Sequence, residues 1–169
     1  MHNLSLKNKY KTAAGVSLIE VLVALLLVSV AGFSILSMTS FANQDSNSLK
    51  FEMSADYLAR GILSRAEVNA STTNKNTYTF DSDTLNPTEA PDCTSGCSND
   101  EIAVLDIHEW AKEAKDLLPA VQYKSWWTAN ELHLAIAWHG PIKLEQEKGC
   151  PFAKAEQIAC KVYTTTIAL

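Results

Sequence analysis

The residues best equipped for chemistry are four cysteines, Cys93, Cys97, Cys150 and Cys160, and one oddly placed carboxylate, Glu20. Four cysteines allow three disulfide connectivities. Local pairing, Cys93 with Cys97 and Cys150 with Cys160, is the favoured expectation and calls for an oxidising compartment. The competing use of the thiols is a zinc site, Cys93-x3-Cys97 with His108 or His133, but its spacing is loose and disulfides compete for the thiols. A redox-active pair would carry Cys-x-x-Cys instead. His133 and His139 fall on one face of an expected strand, with no patterned nucleophile or carboxylate beside them. Ser17 is not in a Gly-x-Ser-x-Gly elbow. Asp81-Ser82-Asp83 lacks the Gly and distal Glu of a calcium loop, so a solvated turn is expected. These residues imply no catalytic group, no metal and no cofactor, and hence a protein that is not an enzyme.

Glu20 matters because it stands at the edge of an apolar run. Val21 to Met38 is 18 residues without a charge, and about 20 apolar residues cross a bilayer core. Ser29, Gly32, Ser34 and Ser37 are small and would let helices approach closely. A carboxylate at the edge of such a span is costly and calls for a cation. Before it, residues 1–15 hold Lys7, Lys9 and Lys11 and no acid, so the remainder sets 11 basic residues against all 19 acids. The lysines should stay cytoplasmic and send the carboxy-terminal part across the membrane. The net charge of −5 and pI near 5.3 argue against a nucleic-acid partner, which would need a basic patch.

The run Gly15-Val16-Ser17-Leu18-Ile19-Glu20 resembles the class III signal of type IV prepilins: a basic leader, Gly, a hydrophobic residue, a hydroxyl residue, two aliphatics, Glu, then an apolar helix. The resemblance implies cleavage between Gly15 and Val16 by a prepilin peptidase. It also implies N-methylation of Val16 and pairing of Glu20 with the terminal amine of a neighbouring subunit during assembly. Val16 stands where the family more often has Phe or Met. An ordinary secretory signal cut near Ser40-Phe41-Ala42 would need a shorter apolar core without an internal Glu. A plain anchor would explain the hydrophobic length but not the motif.

Four regions emerge from this reading: a leader, 1–15; a membrane or filament-core helix, 16–38; its amphipathic continuation, 39–70; and a periplasmic α+β head, 71–169. No proline occurs before Pro87. Phe41, Leu49, Met53, Leu58, Ile62 and Ala66 suggest a stripe that packs on the head. The alternative is two helices broken near Asn43–Ser48. Thr77-Tyr78-Thr79-Phe80 alternates like a short strand. Residues 81–99 hold Pro87, Pro91, Gly96, Cys93 and Cys97 and read as an irregular loop. Asp100 and Glu101 open a helix that Pro119 stops near Leu118. Its face is Ala103, Ile107, Trp110, Ala114 and Leu117. Two alternating strands come next, around a turn at Thr128–Glu131, the second ended by Gly140-Pro141. Trp126 and Trp127 must face opposite ways. Val162 to Leu169 reads as the last strand.

The outline is a pilin-like α+β fold, a long helix on a small antiparallel sheet. Within the superfamily the chain resembles the minor pilin group called PilV, the type IV pilus modification proteins. The likeness lies in GVSLIEVLVALLLVSV, the Cys93–Cys97 loop before Asp106-Ile107-His108-Glu109-Trp110, Leu117-Leu118-Pro119 and Ile136-Ala137-Trp138. It implies a structural subunit near the filament tip that supports pilus assembly, twitching motility and adhesion. The partners implied are other minor pilins, the major pilin, prepilin peptidase, the inner-membrane assembly platform and the inner membrane itself. It also implies that the Cys150–Cys160 loop is exposed at subunit contacts; a stapled surface loop without partners is the plainer reading. A pseudopilin of a type II secretion system shares the same signal and helix.

Overall fold

The computed structural model describes residues 15, 17–71, 75–85, 90–140, 148–152 and 158–168. Helix α1 spans Leu18–Asn69 and helix α2 spans Asn99–Leu117, with a short 3-10 turn at Lys75–Tyr78 between them. Strands β1 (Gln122–Thr128), β2 (Glu131–His139) and β3 (Ile158–Thr166) form one antiparallel sheet in the order β1-β2-β3. The long helix packs on this small sheet, the expected α+β arrangement. Two compact units result, residues 1–42 and residues 43–169.

In the first unit α1 has no buried side chain. Every large apolar residue from Leu18 to Phe41 is exposed. The hydroxyls there are satisfied by the helix itself: Ser29 donates to the Leu25 carbonyl at 2.7 Å, Ser34 to Val30 at 3.0 Å and Thr39 to Leu36 at 2.9 Å. Such internal bonds let polar residues sit in an apolar medium without an orphaned donor.

In the second unit α1 becomes one-sided. Its buried residues are Ala55, Leu58, Ala59, Ile62, Leu63 and Ala66, with Ser48 further toward the amino terminus. The steps of three and one make a stripe wider than a two-position seam. Leu58, Ile62 and Ala66 lie where the periodicity placed them. Phe41, Leu49 and Met53 do not; they are 68%, 59% and 71% exposed. The alanines are the reason. Ala55 and Ala59 allow close approach of neighbouring elements, so the packed face is turned toward them and away from the larger side chains. No break interrupts α1 at 43–48.

Helix α2 starts one residue before the expected acids. Ser98 is its N-cap: its hydroxyl accepts from the Glu101 amide at 3.3 Å, and the Glu101 carboxylate accepts from the Ser98 amide at 2.8 Å. This is a reciprocal capping box. Ala103, Ile107, Trp110 and Ala114 are buried as expected, joined by Ala111 and Leu118; Leu117 lies at the exposed margin. The Trp110 indole donates to the Leu58 carbonyl at 2.7 Å, so a large apolar ring is buried without an orphaned N–H. Trp110 also meets Phe80 and Tyr123 edge-on, at centroid distances of 5.5 Å and 5.0 Å.

The expected strand at 77–80 is absent. Tyr78 ends the 3-10 turn, and β-like pairing begins only at Phe80. The Phe80 carbonyl accepts from Ser125 N at 2.8 Å, and Ser82 N donates to the Tyr123 carbonyl at 2.9 Å. Buried Ser125 replaces a backbone rung: its hydroxyl donates to the Tyr78 carbonyl at 2.7 Å and accepts from Phe80 N at 2.8 Å. Residues 80–82 thus strap the edge of β1. The β1–β2 turn is Ala129-Asn130, and β3 begins at Ile158, four residues before the expected start.

Candidate functional site

The residues that the motif singled out lie at the start of α1. Gly15 is described and exposed, whereas Val16 lies outside the described residues. Ser17 precedes the helix, and its carbonyl accepts from Glu20 N at 3.0 Å and Val21 N at 3.3 Å. Glu20 is therefore in the first helical turn, where a carboxylate is favoured by the unpaired amides and the helix dipole by about 0.3–1 kcal/mol. Its side chain is exposed and has no cationic partner among the described residues. The helix after it is long and apolar enough to cross a membrane, with an 18-residue window of mean hydropathy 2.5 and none of that window buried. A soluble domain lies beyond it. A contiguous apolar surface of this length is an attachment surface for lipid or for other proteins, because soluble monomers rarely expose one.

All four cysteines are paired locally. Cys93 bonds Cys97 with Cα atoms 5.1 Å apart, and Cys150 bonds Cys160 with Cα atoms 6.2 Å apart. The sulfurs of Cys93 and Cys97 are therefore bonded to each other and are not ligands in the zinc alternative. Their loop turns tightly. Gly96 has φ +98°, in the left-handed region that glycine reaches at no steric cost, and its amide donates to the Cys93 carbonyl at 3.1 Å. The loop delivers the chain directly to the Ser98 cap of α2. Cys160 is buried on β3, opposite Ala137 of β2, so its bridge staples residue 150 to the sheet face remote from α1.

On that same outer sheet face, Trp126 of β1 stacks on His133 of β2 with centroids 5.2 Å apart and planes 11° apart. His133 Nδ1 lies 2.9 Å from the Thr164 hydroxyl of β3. Trp127 points to the opposite face and donates from its indole to the Lys75 carbonyl at 2.8 Å. The two tryptophans thus divide as alternation requires, and His133 is part of a cross-strand stack. Asp81 accepts from the Asp83 amide at 3.0 Å and pairs with Lys124 at 3.3 Å, as in a solvated turn.

Two polar clasps hold α1 in the head. In the first, Arg65 Nη1 reaches Asp106 at 3.3 Å and Glu109 at 3.6 Å. Tyr78 donates to Asp106 at 3.4 Å, and the Asn69 amide donates to Tyr78 at 3.1 Å. Burial pushes the Asp106 carboxyl above its ordinary value, and Arg65 offsets only part of that. In the second, Lys161 of β3 reaches Glu52 at 2.8 Å and Asp56 at 3.4 Å, and the Tyr163 hydroxyl donates to Asp56 at 2.6 Å. Burial opposes the charged form of Asp56, but the Tyr163 hydrogen bond and the Lys161 charge outweigh it and hold the carboxyl below its usual range. Burial likewise opposes the Lys161 charge, yet Glu52 and Asp56 raise its pKa. Thr165 also bonds Glu67. Sequence reading missed both clasps, because their ion pairs join residues far apart in the chain, Arg65 to Asp106 across 41 residues and Lys161 to Asp56 across 105, and no spacing joins them.

Comparison with protein-family models, with curated proteins and with solved structures returns no match in any of the three.

Proposed function

We propose that the chain is a non-enzymatic minor pilin, similar to the PilV group, made as a prepilin in the inner membrane and incorporated into a type IV pilus. The observation that carries this reading is the sequence GVSLIE opening directly into an apolar helix that runs on, without a break, into the helix of a small α+β head. A general membrane anchor needs neither the Gly-x-x-x-x-Glu spacing nor that continuity. In this reading prepilin peptidase cuts after Gly15, and Val16 becomes the methylated amino terminus. Glu20 then meets the terminal amine of a neighbouring subunit, which supplies the cation that a carboxylate in an apolar environment requires. The apolar helix leaves lipid for contacts with other subunits, so its exposed surface serves in both settings. The head is displayed outside and meets other minor pilins and the major pilin, near the filament tip. The assembly platform of the inner membrane is the other partner, and twitching motility and adhesion are the supported outputs.

A clean deletion, scored in the same cultures for surface filaments and for type II secreted proteins, tests the reading. Loss of filaments with intact secretion, restored by the wild-type gene, is the expected result. Lost secretion with intact filaments would transfer the chain to the pseudopilins. No change in either would leave the filament role without support.

A further inference from the structure

The two disulfides of the head differ in how the fold protects them. Cys150–Cys160 ends on β3, where Cys160 is 2% exposed and lies opposite Ala137. A thiol from solvent cannot reach the Cys160 sulfur, and attack on Cys150 would expel a thiolate at a buried position, which burial disfavours. Cys93–Cys97 has neither protection. Both of its cysteines are partly exposed, and Asp92, Thr94, Ser95, Gly96 and Ser98 around them are exposed. Either sulfur is open to attack, and either departing thiolate meets water. No described residue between Phe80 and Ala103 is buried, so opening this bridge uncovers no core. It also spans a sequence separation of 4 against 10. In the chain-entropy model the shorter loop makes it about three- to fourfold easier to open.

The bridge holds a chain reversal. The Gly96 amide donates to the Cys93 carbonyl at 3.1 Å, and Ala90 and Pro91 lie beside Asp100, Glu101 and Val104 of α2 around a groove of about 380 Å³. Helix α2 does not depend on that reversal. Its cap is closed by Ser98 and Glu101 alone, and the Ile102 amide donates to the Ser98 carbonyl at 2.9 Å, beyond Cys97.

We propose that Cys93–Cys97 is a thiol-exchange site. A dithiol of the Cys-x-x-Cys class reduces it reversibly while Cys150–Cys160 stays closed, and reduction releases residues 90–97 from α2 without unfolding the helix. The chain is the substrate of this exchange, so the Cys-x-x-Cys spacing belongs to the reductant. One thiolate of the dithiol attacks Cys93 or Cys97; the bond between the two sulfurs breaks, a mixed disulfide forms, and the other cysteine leaves as a thiolate that takes up a proton. The second thiol of the dithiol then loses its proton, attacks the mixed disulfide and expels the first cysteine. The bridge gains two electrons and two protons, and the dithiol becomes a disulfide. This site stands on the head alone and does not require the filament reading.

The test uses the full chain in detergent. The folded protein is titrated with dithiothreitol, and each cysteine is scored by alkylation and mass spectrometry. Cys93 and Cys97 should become alkylated together, at a dithiol concentration about tenfold or more below that needed for Cys150 and Cys160. A thioredoxin-like protein carrying Cys-x-x-Ser, which cannot complete the second attack, should be trapped as a mixed disulfide at Cys93 or Cys97. Amide hydrogen exchange reads the release. The Gly96 amide should exchange about tenfold faster in the reduced chain, and equally in the double variant Cys93→Ser, Cys97→Ser, while the amides of α2 from Ile107 to Ala114 keep their protection. Opening of both bridges at one dithiol concentration, no mixed disulfide at Cys93 or Cys97, or an unchanged Gly96 amide would overturn the exchange site. Loss of protection through α2 would make the bridge a structural staple instead. None of these readouts involves filaments, so failure here leaves the pilus reading untouched, and an unaltered deletion strain leaves the exchange site untouched.

Discussion

Glu20 is an acid that only its surroundings make informative. An exposed carboxylate in a first helical turn is ordinary in water, but this one opens an 18-residue uncharged run. Replacing it with Ala should leave membrane insertion intact, since removing a charge from the edge of a span lowers the insertion cost. Incorporation into filaments should fall; membrane fractionation and immunoblotting of sheared filaments check both halves, and normal incorporation would sink the role of the charge. Asp56 makes a prediction of another kind. Its carboxyl is held below the ordinary value of 3.8 despite burial, by Tyr163 and Lys161. The stability it contributes is fully present above that ordinary value and is lost as pH falls through the lower folded value. Acid should therefore loosen β3 from α1. Melting temperatures measured from about pH 6 to about pH 2 should fall more steeply for wild type than for Asp56→Asn. Asp106 works in the opposite sense, because burial raises its pKa; its cost at neutral pH is relieved by protonation. Equal slopes for wild type and Asp56→Asn would show that the second clasp contributes nothing.

At the scale of elements, α2 depends on how it begins. The Ser98–Glu101 box satisfies two amides at a helix start that comes directly after the Cys93–Cys97 bridge. Ser98→Ala should cost about 1 kcal/mol, read as a lower midpoint in denaturant with an unchanged slope. Both periodic helix faces were partly legible. The α2 stripe was nearly complete because its four-and-three spacing has only one apolar solution. The α1 stripe was misplaced at Leu49 and Met53 because a periodicity count gives weight to large residues, whereas packing chose Ala55 and Ala59. The strand expected at 77–80 failed for a related reason. Alternation describes which side chains can be buried, but the Ser125 hydroxyl takes over the hydrogen bonds of Tyr78 and Phe80, so the backbone does not extend until residue 80.

For the whole molecule, the two bridges have different jobs. The Cys93–Cys97 bridge shapes a turn, whereas Cys150–Cys160 joins a loop to a buried position on β3. Replacing Cys150 and Cys160 together by Ser should cost about 2–3 kcal/mol, since a short closed loop loses its restraint on the unfolded chain. Thermal unfolding of the full chain in detergent should show the loss, and an unchanged midpoint would mean that pairing with β2 and the contacts to α1 hold β3 without help from the bridge. Several features of this protein were determined by sequence without reference to a fold: the apolar run, the acid at its edge, the signal-like hexapeptide, local cysteine pairing and the α+β order of elements. All of them are local, depending on residues within a few turns of one another. Tertiary structure alone decided which face of α1 is buried, how Arg65 and Lys161 find their carboxylates, where Trp126 stacks, and that Leu49, Met53 and Tyr57 remain uncovered. Those outcomes join residues far apart in the chain, and they are set by close packing, which weighs shape and volume that no spacing in the sequence records.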